Sequence, residues 1–129
     1  MNTKLIMTLS AIFLGLLGLS LSFFPGEIDA YINDTPNTSS TLFLQLLSAV
    51  YLGFSLMNWM AKSSRIGGIY NRPIAIGNFM HYTVGALALM KIVSGIELHK
   101  EVFISATVIY TVFAACYAYI FMYNPAESK

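Results

Sequence analysis

Charge is what this chain has least of. Only 10% of its 129 residues are Asp, Glu, Lys or Arg, against about 25% in soluble domains. So few charges cannot cover the surface of a water-soluble fold. No lysine or arginine occurs between Lys4 and Lys62, and a formal net charge of +1 leaves no concentrated basic face. Nucleic acid is therefore excluded as a partner. A single cysteine, Cys116, forbids an internal disulfide and a paired-thiol redox site. It lies inside an apolar run, where it reads as a small core residue. The two histidines, His81 and His99, are too few for the histidine clusters of membrane di-iron oxidases, and no cofactor or metal is called for.

What is abundant is apolar sequence, 57% of the chain. An uncharged run of 18 or more residues spans a hydrocarbon core of ~30 Å as a helix. Four segments qualify: residues 5–24, 42–61, 73–91 and 102–123. The reading is a single all-α domain, an integral membrane bundle of four transmembrane helices running up-down-up-down. The first run is long for the apolar region of a cleaved leader and lacks a small-x-small cleavage site, so it reads as a span. Within it Thr8, Ala11, Gly15, Gly18 and Ser22 fall on one face, the pattern by which membrane helices approach closely.

Residues 25–41 are polar and hold Glu27, Asp29 and Asp34. Pro25, Gly26 and Pro36 mark irregular chain, expected as a solvated acidic loop. Two glycosylation-type triplets begin at Asn33 and Asn37, which matter only in a eukaryotic secretory pathway. In the second segment Gln45, Ser48, Tyr51, Ser55 and Asn58 share about 140° of helical arc, a polar stripe expected to face other helices. Trp59, like Tyr117, Tyr119 and Tyr123 in the fourth segment, suits the interface with water.

Lys62, Arg65 and Arg72 bracket Gly67-Gly68 in the connection to the third segment. They can signal topology or contact an anionic lipid head group. With Lys4 and Lys129 they make five basic residues on one side, against Lys91 and Lys100 on the other. Both termini are thus expected to be cytoplasmic. Pro73 suits the first helical position of the third segment. His81, eight residues on, lies roughly 12 Å into the span. An ionisable group at that depth is a candidate site by default, and Asn78 lies one turn earlier. His81 is either a proton or ligand contact, or interhelical glue bonded to Gln45, Ser55, Asn58 or Tyr110. Glu97, His99 and Glu101 are too few for a metal centre.

The Phe-Phe-Pro closing the first run resembles, together with Ala49-Val50-Tyr51-Leu52-Gly53, Arg72-Pro73, the stretch from Gly85 to Lys91, and Ser94-Gly95, a family of short bacterial four-span proteins of unknown function. That resemblance implies a four-helix membrane bundle in a bacterial inner membrane and brings no catalytic residues. The expected role is a non-enzymatic subunit or scaffold that meets the lipid bilayer and a membrane-protein partner. A homo-oligomeric transporter or channel using Asn78 and His81 is the alternative, and an enzyme acting on a lipid is the third.

Overall fold

The computed structural model describes residues 2–64 and 71–123. They form five helices and, among the described residues, no strand: α1 (Thr3–Phe23), α2 (Pro25–Ile32), α3 (Thr38–Ala61), α4 (Arg72–Val93) and α5 (Lys100–Tyr123). All but α2 are long and apolar enough to cross a membrane. The protein is an all-helical membrane protein of the four-span class. Arg65, Gly67, Gly68 and Lys129, which enter the topology and head-group readings above, lie outside the described residues.

The chain divides into two compact units. Met7–Met60 carries most of α1 with α2 and α3. In it α1 buries Met7, Ser10, Ala11, Leu14, Gly18 and Leu21, a stripe at spacings of three and four. Leu5, Leu9, Ile12, Leu16, Leu19 and Phe23 form the exposed stripe. The first faces α3; the second suits lipid tails or another membrane helix. Partners of the α1–α3 pair run antiparallel: Ser10 meets Asn58, Ala11 meets Ser55, and Gly18 meets Leu52.

The expected irregular loop contains a helix, because proline starts helices as readily as it stops them. Pro25 occupies the first turn of α2, and Glu27 adds a carboxylate there, where the helix dipole favours negative charge. Backbone bonds from Phe24 N to Ser20 O and from Ile28 N to Phe24 O nearly carry α1 into α2. The break is at Phe24, whose ψ of 44° leaves the helical range.

α3 starts at Thr38, four residues before the apolar run. Asn37 caps it: its side-chain oxygen accepts from the backbone N–H of Ser39 (2.9 Å) and Ser40 (3.0 Å). Ser40 Oγ in return accepts from Asn37 N at 3.0 Å, a reciprocal cap that satisfies otherwise orphaned donors.

The second unit is built around α4 and α5. Tyr82, fully buried, stacks on Phe113 (ring centroids 4.8 Å apart) and Tyr117 (5.7 Å), and meets Tyr110 edge-on at 5.2 Å. At the far end the Arg72 guanidinium carbon lies 5.9 Å from the centre of the Phe121 ring, a cation–π pairing. Residues 94–99 connect the two helices. His99 takes a positive φ of 49°, a conformation costly for a side chain with a Cβ.

Candidate intramembrane polar sites

The five residues proposed for an intramembrane site fall into both units. Gln45, Ser55 and Asn58 stand on α3 of the first, and Asn78 and His81 on α4 of the second.

On α3 the period of 3.6 turns Ser48, Ser55 and Asn58 inward, while Gln45 is exposed. Asn58 is 0% exposed, and its amide donates to Ser10 Oγ at 3.0 Å. Ser55 Oγ donates to the Ala11 carbonyl at 2.7 Å. Such bonds matter in lipid, where water cannot satisfy the groups. Gly15 and Gly18 make the close approach possible. A Cβ on Gly18 would come within 2.7 Å of Leu52 Cγ and 3.1 Å of Leu52 N. Ser10 escaped sequence reading because the small-residue stripe was drawn through Thr8 and Ala11, just beside it.

Gln45 instead borders an open hollow with Pro36, Asn37, Thr38, Thr41 and Leu42. A second, apolar groove of about 390 Å³ runs along Ala11, Gly15 and Leu16 to Ser55 and Trp59.

On α4, Asn78 is fully buried and donates to the Ile74 carbonyl one turn back at 2.9 Å. His81 is half-buried. Its Nε2 lies 3.5 Å from Tyr110 Oη, the outer limit of a hydrogen bond, and its ring centre is 5.7 Å from that of Tyr110. Tyr110 is thus the partner supplied by α5. Its ring also fills the notch at Gly85, where an added Cβ would overlap Cδ1 and Cε1. Two residues beyond His81, Thr83 Oγ1 is buried without a hydrogen-bond partner.

A polar centre that sequence reading missed lies outside the spans. Asp29, expected in a solvated loop, is 2% exposed. Ser40 Oγ and Thr41 Oγ1 both donate to its Oδ2, the latter at 2.8 Å, and Asn33 Nδ2 donates to Oδ1 at 3.2 Å. The bond from Ser40 holds the carboxyl below its ordinary value of 3.8; desolvation opposes this, and Thr41, Asn33 and the Asn37 backbone reinforce it. Hydrogen bonds to the charged form act in this direction. The contribution to stability is therefore present above pH 3.8 and disappears as pH falls through the lower folded value. The cluster ties α2 to the first turn of α3.

Arg72 is exposed and lies over Phe121; Lys62 is half-buried. His99 Nδ1 stands 3.8 Å from Glu101 Oε1. Among the described residues no group of three or more His, Cys, Asp or Glu is placed to hold a metal ion.

No family model, curated protein or solved structure matches the chain. Its sites are therefore read from their own chemistry.

Proposed function

We propose that this chain is a small non-enzymatic membrane protein, a subunit or scaffold of a larger membrane assembly. It sits in a bacterial inner membrane with both termini cytoplasmic. The orientation rests on five basic residues on the side of Lys4, Lys62 and Lys129 against two, Lys91 and Lys100, on the other. Lys62, Arg65 and Arg72 mark the cytoplasmic face, where they can also meet anionic head groups.

The observation that carries the subunit reading is where the polar groups of the spans go. Ser55 and Asn58 donate to the facing helix of their own hairpin, and Asn78 and Thr107 to their own helix backbone. Each of these contacts fixes helix geometry. Meanwhile both hairpins turn broad apolar faces outward, suited to lipid and to other membrane helices.

A second reading, homo-oligomeric transport, is favoured by the contact between His81 and Tyr110, because paired titratable groups within a span can pass a proton.

Native mass spectrometry of the protein extracted in mild detergent from its own membranes separates the two. A heteromeric mass with fixed stoichiometry is the expected result. A homo-oligomer with no second chain overturns the subunit reading. The transport reading then predicts that His81→Ala abolishes flux into liposomes while helix content is retained.

A further inference from the structure

We infer that α2 is an interfacial helix, whose Tyr31 side lies, with Phe24 just before it, in the head-group boundary of a zwitterionic phospholipid leaflet while Asp29 pins its other side to α3. The inference rests on the four-span fold and is independent of the subunit reading.

Three observations converge on it. The first is continuity. The exposed apolar stripe of α1 ends on Leu19 and Phe23, and exposed aromatics continue beyond it: Phe23, Phe24 and Tyr31 are 73%, 58% and 49% exposed. Leu19 and Phe23 lie on a membrane-spanning helix, so the next residues emerge at the level of the head groups. Aromatic rings are favoured at that depth.

The second is the fixed attitude of α2. Asp29 and Tyr31, two residues apart, project about 160° from each other on a helix. The two bonds that Asp29 accepts from Ser40 and Thr41 at the start of α3 therefore hold the aromatic side away from it. A free loop would let these rings leave the membrane; this bracing does not.

The third is charge, which selects the lipid. Interfacial helices that bind anionic membranes carry lysine and arginine on their polar face. Between Lys4 and Lys62 there is none, and α2 with its following turn carries Glu27, Asp29 and Asp34. An anionic surface would repel this segment. Glu27, exposed and about 40° from Tyr31 around α2, then stands beside the ammonium groups of a zwitterionic surface while the rings seat below it.

The test places a reporter in the full-length protein. Trp59 is the only tryptophan, so Trp59→Phe gives a dark background, into which Phe24→Trp, Tyr31→Trp or Thr35→Trp is introduced singly. Each variant is reconstituted in phosphatidylcholine vesicles and its helix content checked by circular dichroism. Phe24→Trp and Tyr31→Trp replace one exposed aromatic by another, so if one misfolds the other carries the measurement.

Lipids brominated near the top of the chains should reduce emission of these two reporters by about twofold or more, as expected for rings seated within ~5–10 Å of the boundary. Thr35→Trp should respond mainly to aqueous acrylamide. Equal acrylamide access at all three positions, with no effect of brominated lipid, overturns the inference in favour of a solvated helix. Protection from both quenchers overturns it in favour of a protein contact. Quenching that appears only after phosphatidylglycerol is added overturns the choice of lipid. Adding Asp29→Ala to the Tyr31→Trp variant should raise acrylamide access about twofold as α2 lifts from the boundary; unchanged access removes Asp29 from the account.

Discussion

The two hairpins solve one problem by opposite means. Lipid tails are as apolar as leucine, so helices in a bilayer associate through packing and hydrogen bonds. The α1–α3 pair takes the close route. Ala11, Gly15 and Gly18 remove bulk, and the space lets Ser55 reach a backbone carbonyl and Asn58 reach Ser10. The α4–α5 pair takes the bulky route, stacking Tyr82 against Phe113 and Tyr117 with Tyr110 edge-on. A notch at Gly85 seats the Tyr110 ring. Close contact makes the first pair depend on what is absent from its side chains, and stacking makes the second depend on what is present.

This contrast can be broken most forcefully at Tyr82. Tyr82→Ala removes a fully buried ring that packs on Tyr110, Phe113 and Tyr117 of α5 and should cost about 3–5 kcal/mol, read as a shifted unfolding midpoint in mixed micelles. Truncating Ser55 or Asn58 on α3 should cost less, since each loses one interhelical hydrogen bond. Next come the notches: Gly18→Ala and Gly85→Ala each force a methyl into an occupied position and should cost about 1–3 kcal/mol by overpacking. Gly53→Ala sharpens the comparison, since a Cβ there meets nothing within 4 Å. That variant should be neutral or slightly stabilising, because alanine is favoured over glycine inside a helix by about 1 kcal/mol. Equal losses for Gly18→Ala and Gly53→Ala would mean that helix propensity, not close approach, governs α1–α3. Smallest is the polar contact itself. A double-mutant cycle of Ser10→Ala and Asn58→Ala should return a coupling of about 0.6 kcal/mol, typical of interhelical bonds in membranes.

Much of the frame was legible before any coordinates. Uncharged run length alone marks the four spans, because the bilayer fixes the length a helix must have. The inward turn of Ser55 and Asn58 follows from the helical period, and so does the small-residue face of α1. Gln45 shows the limit of that logic: it shares the stripe yet is exposed, since the stripe runs past the level where α1 offers cover. α2 was hidden because Pro25-Gly26 reads equally as an end and a beginning. Asp29 was hidden more deeply. Its partners Ser40 and Thr41 are eleven and twelve residues away, and their meeting depends on how two helices are joined, which no local pattern encodes. Tyr82 was passed over because one aromatic in an apolar span is unremarkable until its neighbours are known.

The stacked pair also has a consequence for biosynthesis. The rings of Tyr110, Phe113 and Tyr117 that pack on Tyr82 belong to α5, which is synthesised after α4. Residues 94–123 take roughly two to six seconds to make at about 5–20 residues per second. For that interval α4, the least apolar of the four spans, is already synthesised with Tyr82 and His81 still waiting for Tyr110. By contrast, α1 and α3 can close their seam before α4 is complete. A nascent chain can thus hold a closed α1–α3 seam while Tyr82 still lacks its three stacking partners from α5.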